Sequence, residues 1–281
     1  MEAAIVPLSD VRIVVDGLDH PECVTIDAEG VLWAGGEAGQ IYRIDASSGT
    51  FDVVGSTDGF VLGITPDGAG GMIICDTKRR EVLCMDVRSG AVDVMASEVE
   101  GRELINPNYA VFHPDGRLYV TDSGHWRAHD GFLFCIEPDG SACIVEDRCH
   151  RFPNGLALDY EADEIYIAES TLPGITKLSL RNGNLETVVT IPGTIPDGMA
   201  LDCDRNIVLG CYRPDVVLKI TEGQIETLVS DPEGTIVAVP TNVAMGGPRF
   251  RTLYMASLGR WHIGAIELKV PGLPLAYPGR G

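Results

Sequence analysis

Carboxylate and carboxamide side chains recur at one equivalent position of a pattern that repeats along the chain. In chain order, the residues at this position are Glu22, Phe60, Asn108, Asn154, Asp197 and Asn242. Hard oxygen donors of this kind suit Ca²⁺, and Mg²⁺, Mn²⁺ and Zn²⁺ are the alternatives. An alternative explanation is that Asn and Asp simply favour the turns that precede strands. If the six positions converge, buried carboxylates without a cation would be costly, so the set predicts a divalent metal site.

The pattern that carries these residues is a unit of several short β-segments. Its copies begin at residues 22, 60, 108, 154, 197 and 242. Each copy alternates apolar and polar residues in short runs separated by Asp, Asn and Gly turns, without a long helical periodicity. Four strands in a unit of roughly 45 residues are typical of propeller blades. The sequence therefore predicts an all-β fold, a six-bladed β-propeller with four-stranded antiparallel blades around a central channel.

The repeat also predicts how the blades are joined. One blade cannot bury both of its faces alone, so residues 1–281 are expected to form a single domain. The apolar segment at residues 11–17 precedes the first copy, and we expect it to supply the outer strand of the sixth blade. The alternative is a solitary N-terminal edge strand. The first strand of a propeller blade lines the channel, so the six equivalent side chains should converge near its axis.

Composition restricts the partners of the chain. Asp and Glu number 41 and Lys and Arg 21, which gives a formal net charge of −20 and argues against nucleic acid and anionic membranes. Neither a secretory signal nor an apolar stretch of about 20 residues is visible. Eight cysteines occur without a C-x-x-C pair, which predicts reduced, buried thiols in a cytoplasmic protein. The sequence leaves the oligomeric state open.

The motifs around the repeated position resemble one known family. HPECVTID, NPNYAVFHPDGRLYVTD, FPNGLALD, IPDGMALD and PTNVAMGG are similar to segments of the senescence marker protein (regucalcin), gluconolactonase and lactonohydrolase family, over residues 10–270 or so. The resemblance implies a six-bladed propeller with one divalent metal in the channel, Ca²⁺ first among the candidates. It implies Glu22, Asn154 and Asp197 as metal ligands. Asn108 matches a channel Asn close to the metal or the substrate.

The resemblance also implies a reaction, the hydrolysis of lactones. A metal can polarise the lactone carbonyl, and a neighbouring carboxylate can activate water or attack directly. Asp197 is the expected catalytic residue, as base or as nucleophile, and Glu22 is expected to act only as a ligand. We expect a small-molecule lactone or ester as substrate. The alternatives are a phosphotriesterase-like or other metal-dependent hydrolase or isomerase at the same site, and a non-enzymatic metal-binding propeller scaffold.

The sequence departs from the family beside the channel Asn. Family members that act on sugars often carry Arg and Asp where this chain has Asn106 and Tyr109, which points to a less polar substrate. Further candidates lie in loops between the second and third strands of the blades, where propeller loops at a channel mouth shape specificity. The residues predicted to contact substrate are Asn106, Asn108, Tyr109, His125, Trp126, Tyr212, Asn242 and His262, with Glu169 and Ser170 as additional candidates.

Overall fold

Twenty-six strands and three short 3₁₀ helices make up the regular structure of residues 4–278, the part of the chain that the computed structural model describes. β1 spans Arg12–Asp16. Blade 1 contains β2–β5, at Cys23–Ile26, Leu32–Gly35, Gln40–Asp45 and Thr50–Ser56. Blade 2 contains β6–β9, at Val61–Pro66, Gly71–Asp76, Glu81–Asp86 and Val92–Ala96. A short hairpin, β10 (Glu98–Val99) and β11 (Arg102–Glu103), follows blade 2.

The second half of the ring repeats the arrangement. Blade 3 contains β12–β15, at Pro107–Phe112, Leu118–Asp122, Phe132–Ile136 and Ala142–Glu146. Blade 4 contains β16–β19, at Pro153–Asp159, Glu164–Glu169, Gly174–Ser179 and Leu185–Thr190. Blade 5 contains β20–β23, at Ile195–Leu201, Ile207–Arg213, Val216–Thr221 and Gln224–Ser230. Blade 6 contains β24–β26, at Pro240–Gly246, Thr252–Ser257 and His262–Glu267. The 3₁₀ helices are Leu8–Asp10, Pro248–Phe250 and Leu258–Arg260.

The six sheets are four-stranded and antiparallel, and they form a ring. The predicted six-bladed propeller is therefore confirmed. The chain closes its ring through β1, which pairs antiparallel with β26 and is the outermost strand of blade 6. Arg12 lies opposite Ala265 and Asp16 opposite His262.

Apolar side chains between neighbouring blades form the core. Among the described residues there are six apolar clusters, and each joins two adjacent blades. Between blades 6 and 1, for example, Val24 and Tyr42 pack with Ala244 and Tyr254. Every residue of β12 is buried, whereas no residue of the outer strand β5 is. Inner strands are enclosed by neighbours on both faces, so they read as continuous apolar runs interrupted only at the channel mouth.

The segment that follows β26 runs beneath the ring. Gly272 bridges Asp202, and the Leu273 amide donates to the carbonyl of Leu201 at 2.8 Å. The Tyr277 hydroxyl donates to the carbonyl of Ile26 at 3.3 Å. This tail, residues 271–278, thereby crosses from blade 5 to blade 1 at the end of the channel where the inner strands finish.

All eight cysteines are free thiols, and five of them are buried. Cys84 and Cys143 are partly buried and Cys203 is exposed, so the prediction of buried thiols is right for five of the eight cysteines. Among residues 4–278, no helix has the length and apolar character needed to cross a bilayer.

Candidate active site at the channel mouth

A local irregularity at the start of the inner strands turns polar side chains toward the channel. In blades 3, 4 and 5 the pairing with the second strand skips two residues just after a proline, at positions 108–109, 154–155 and 197–198. Bulges of this kind release a side chain from the ladder and re-aim it. Asn108, Asn154 and Asp197 each occupy the first skipped position, so the same backbone device presents all three.

Glycine follows two of these residues because the inner strands approach closely there. A Cβ atom on Gly155 would lie 2.6 Å from the carbonyl oxygen of Asp197. A Cβ atom on Gly198 would lie 2.3 Å from Nδ2 of Asn242. Only glycine permits such an approach of backbone to backbone. The Asn-Gly and Asp-Gly pairs are thus explained by packing around the axis and by the bulge together.

Strand pairing corrects the alignment of two repeats. The residue that pairs two positions before the end of the second strand is Leu156 in blade 4, Ile64 in blade 2 and Val243 in blade 6, opposite Ile167, Ile74 and Met255. Counting back by two residues, the equivalent of Asn154 is Leu62 in blade 2 and Thr241 in blade 6. The ring at this level consists of Glu22, Leu62, Asn108, Asn154, Asp197 and Thr241.

The sequence alignment was therefore wrong at blades 2 and 6. Phe60 lies two residues before the ring position and Asn242 one residue after it. At blade 6 the sequence alignment had matched Asn242 by its polar side chain. A shift of one residue in a strand, however, moves a side chain to the other face. The Asn242 side chain accordingly turns away from the mouth of the channel. Its Oδ1 accepts a hydrogen bond from the Val24 amide at 3.3 Å.

Five of these six residues, all but Thr241, line a cavity of about 440 Å³. Asn108, Asn154 and Asp197 are buried in its polar part, and Glu22 is partly buried there with its Oε2 atom enclosed. Phe60, Leu62, Trp126, Phe152, Ile195 and Tyr212 form the apolar part of the lining. Thr77, Asn106 and Ser170 complete it. Cavities of this size and mixed lining are typical of small-molecule sites.

Hydrogen bonds fix the deep side chains from several blades. The Asn108 Nδ2 donates to Ser123 Oγ at 3.0 Å, and the Asn154 Nδ2 to Ser170 Oγ at 3.3 Å. The Asn154 side chain is also hydrogen-bonded to Asp197. Oε2 of Glu22, by contrast, is buried and has no hydrogen-bond partner among the described residues.

The two carboxylates raise each other's energy in this setting. Burial raises the pKa of Glu22 above its ordinary value. Burial also raises the pKa of Asp197, and the nearby Glu22 carboxylate raises it further. Among residues 4–278, no Lys or Arg lines the cavity to offset the pair. Two carboxylates in a buried site without a cation destabilise the charged state.

The donor set fits a divalent cation that prefers oxygen. Glu22 and Asp197 supply negative charge, and Asn154 supplies a neutral amide oxygen. The unpartnered Glu22 Oε2 is the atom that such an ion would satisfy. Residues 4–278 contain no metal-type cluster of three or more His, Cys, Asp or Glu. A metal held here would therefore complete its coordination with amide oxygens, water or substrate.

Seven of the predicted site residues line this cavity, namely Glu22, Asn106, Asn108, Trp126, Asn154, Asp197 and Tyr212, as does the additional candidate Ser170. Tyr109 does not, because it faces the apolar channel beyond the ring, where its hydroxyl meets Asn242. His125 points to the rim, with Nδ1 2.8 Å from Asp130 Oδ2. His262 is buried in β26 and donates from Nε2 to the Ile236 carbonyl at 2.7 Å. Their substrate contacts find no support in this placement.

Five lining residues were not among the predicted contacts: Phe60, Leu62, Thr77, Phe152 and Ile195. Phe152 and Ile195 lie two residues before Asn154 and Asp197, the same offset that places Asn106 before Asn108. Thr77 directly follows the second strand of its blade, as Ser170 does in blade 4. Two further positions of the repeat therefore also line the cavity. One lies two residues before the ring position, and the other directly follows the second strand.

Fold and site together define a class, six-bladed propellers with an oxygen-donor site at the mouth of the central channel. Within that class, the model of the SMP-30/Gluconolactonase/LRE-like region matches residues 9–259. The chain belongs to this family, and the resemblance predicted from its motifs is confirmed.

Solved structures support the same fold. A gluconolactonase from Xanthomonas campestris superposes with a TM-score of 0.78 at 18% identity, covering 94% of this chain and 89% of the other. A luciferin-regenerating enzyme gives 0.76 at 18% identity, covering 95% and 98%. A calcium-binding regucalcin from Agrobacterium tumefaciens gives 0.73 at 15% identity, covering 95% and 94%. No curated protein sequence matches the chain significantly.

Proposed function

We propose that this protein is a divalent-metal-dependent hydrolase that opens lactones. The observation that carries the proposal is the buried pair Glu22 and Asp197 beside Asn154, with Oε2 of Glu22 unpartnered, at the bottom of a cavity of about 440 Å³. A pair of this kind is costly in a purely structural role. Family membership and the gluconolactonase neighbour support the reaction class.

Glu22, Asn154 and Asp197 would hold the metal, and Asn108 lies beside them. Ca²⁺ is the first candidate, because the donors are carboxylate and amide oxygens and because one structural neighbour is a calcium-binding protein. When bound, such an ion supplies a Lewis acid for the lactone carbonyl.

The side chains of the chain itself would perform the remaining tasks. Asp197, as a carboxylate, takes a proton from the water that adds to the carbonyl carbon. The bond between that carbon and the ring oxygen then breaks, and the ring oxygen receives a proton. The product is one open-chain hydroxy acid for each lactone and water consumed. The apolar lining limits the access of bulk water to the reacting atoms.

The test is the variant Asp197→Asn, which keeps the shape of the side chain and removes its basicity. Lactone hydrolysis, followed with a pH indicator in the presence of Ca²⁺, should fall by a factor on the order of a thousand or more. Asp202→Asn is the matched control, since Asp202 is a buried Asp at the other end of the same inner strand and lies outside the cavity. Hydrolysis by Asp197→Asn at the rate of the unmodified protein would refute the assignment.

The same assay separates the alternatives. Turnover of organophosphate triesters without turnover of lactones would indicate a phosphotriesterase-like hydrolase. Metal bound in stoichiometric amount without turnover of either substrate class would indicate a metal-binding scaffold.

A further inference from the structure

The lining of the channel-mouth cavity is divided between a polar bottom and an apolar wall. Six of its side chains are apolar or aromatic, and blades 2 to 5 all contribute to them: Phe60, Leu62, Trp126, Phe152, Ile195 and Tyr212. Two of the rings pack edge to face, with the centroids of Trp126 and Phe152 4.8 Å apart. The wall is therefore an apolar surface that faces the space over the carboxylates.

Part of this surface is left uncovered. Trp126 is 47% exposed and Tyr212 is 41% exposed, although both belong to the lining of a deep site. Aromatic side chains gain most from contact when a partner covers their faces. A cluster of exposed rings at a cavity mouth marks a surface that a ligand covers.

The polar side chains that complete the lining are largely hydrogen-bonded to other groups of the protein. The Thr77 hydroxyl donates to the Asn106 side-chain oxygen. The Ser170 hydroxyl donates to the Pro196 carbonyl at 2.6 Å while accepting from Asn154. A sugar lactone needs a partner for each ring hydroxyl, because a buried hydroxyl without one is costly. The lining therefore leaves few hydrogen-bonding groups free for the hydroxyls of a sugar lactone.

The charge of the lining points in the same direction. In the described part of the chain, no Lys, Arg or His lines the cavity, whereas Glu22 and Asp197 do. An anionic substituent on the substrate, such as a carboxylate or a phosphate, would meet no cation on the wall. A neutral ring with an apolar substituent matches both the charge and the hydrogen-bonding state of the wall.

We propose that the site takes neutral lactones carrying an alkyl or aryl substituent, with Trp126 and Phe152 as the surface that contacts that substituent. This proposal rests on the proposed lactonase function and adds the substrate class. The lactone carbonyl lies over Glu22, Asn154 and Asp197, and the substituent lies along the aromatic wall.

Three lactones with the same six-membered ring test the proposal by activity. They are δ-valerolactone, which is unsubstituted, δ-decalactone, which carries a pentyl chain, and D-glucono-δ-lactone, which carries hydroxyls. We expect kcat/KM for δ-decalactone to exceed that for each of the other two by about tenfold or more, since each buried methylene favours binding. A higher kcat/KM for the glucono-lactone than for δ-decalactone would overturn the substrate class and leave the lactonase function standing.

Binding of an unreactive probe tests the wall separately from the reaction. Calorimetry with δ-valerolactam and its pentyl-substituted form should show the substituted lactam binding about tenfold more tightly. If the three lactones are not hydrolysed but this preference is present, the lactonase function fails and the apolar wall is retained. Equal affinities for the two lactams would overturn the proposal whatever the activity.

Two variants identify the surface. Trp126→Ala, and independently Phe152→Leu, should reduce the advantage of δ-decalactone over δ-valerolactone by roughly threefold to tenfold. The matched control is Trp261→Ala, because Trp261 is equally exposed, at 49%, but packs on His20 outside the cavity lining. An unchanged advantage in both wall variants would show that the substituent does not contact Trp126 and Phe152.

Discussion

The two ends of the central channel are built from the same six inner strands, yet they differ in chemistry and in access. At the mouth, where the strands begin, a cavity of about 440 Å³ contains buried carboxylates and amides. At the other end, where the strands finish, a space of about 60 Å³ is lined mainly by aliphatic side chains such as Leu158, Leu201 and Met245. The channel is a pocket with one open end.

The difference teaches that the ladder between the first and second strands decides where polar chemistry is placed. Regular pairing in the second half of each inner strand directs apolar residues into the interior. The bulges in the first half of the inner strands of blades 3, 4 and 5 break that regularity and turn polar side chains toward the channel. The polar side chains of the candidate site are thus concentrated where the ladder is irregular, and apolar packing where it is regular.

The tail is what closes the second end. Residues 273–276 line the small apolar space beneath the ring. Backbone hydrogen bonds attach the tail to blade 5, through Leu201 and Cys203. The closed end therefore depends on a segment outside the repeats, whereas the open end depends on the repeats alone.

The largest expected effect concerns Glu22, and it changes sign with metal. For metal-free protein, Glu22→Gln removes one of two buried carboxylates, so the melting temperature should rise. Ca²⁺ at a hundred times its Kd should stabilise the unmodified protein by about 2.7 kcal/mol, and the variant should lose this gain together with nearly all activity. Thermal unfolding with Ca²⁺ and with chelator measures both effects. The same Ca²⁺ gain in protein and variant would show that Glu22 is not a ligand.

Second in size is the effect of filling the close approach at the open end. Gly155→Ala places a methyl group against the backbone of Asp197, and we expect a loss of about 2.5 kcal/mol in the free energy of unfolding. Gly264→Ala is the control, because a Cβ atom there meets its neighbours at ordinary distances, 3.4 Å or more. Urea unfolding compares the two, and equal losses would contradict the close-packing explanation.

Removal of the tail should have a smaller effect and should leave the open end intact. A chain that ends at Val270 loses the hydrogen bonds to Leu201 and Cys203 and the cover over the apolar space. The expected loss of stability is about 2 kcal/mol, with Ca²⁺ affinity and lactone hydrolysis retained. Calorimetric titration with Ca²⁺ provides the check. A loss of Ca²⁺ binding would mean that the two ends are coupled.

The sequence predicted the open end better than the closed one, for physical reasons. Asn154 and Asp197 stand in Pro-Asn-Gly and Pro-Asp-Gly, where composition and backbone geometry coincide, so residue type alone places them. Leu62 and Thr241 could not be recognised by type, because only strand pairing reveals their register.

The tail lacks any periodicity from which its position could be deduced. The Pro- and Gly-rich composition of residues 271–278 disfavours a regular strand, and the segment contains only isolated bridge residues such as Gly272. The tail closes the channel through contacts with blades that are distant in sequence. The composition of a Pro- and Gly-rich segment does not predict such contacts. The propeller itself was predictable because every blade repeats the same alternation of apolar and polar residues.

The smallest expected effects come from two buried threonines that occupy the two ends. At the mouth, Thr241 Oγ1 donates to the Glu22 carbonyl at 2.8 Å. At the closed end, Thr65 Oγ1 donates to the Ala110 carbonyl at 2.6 Å. Replacement of either by the isosteric Val should cost about 1 kcal/mol, because one buried hydrogen bond is lost.

Only the replacement at the mouth should reach the chemistry. Thr241 positions the backbone that carries Glu22, so Thr241→Val should weaken Ca²⁺ binding and lower kcat/KM by about threefold to tenfold, with Thr241→Ser restoring both. Thr65→Val should leave Ca²⁺ affinity and kcat/KM unchanged, because its hydrogen bond lies on the packed side of the ring. Calorimetry and lactone kinetics on the two Val variants measure the contrast directly. If both variants changed Ca²⁺ affinity equally, the separation of a reactive end from a packed end would be refuted.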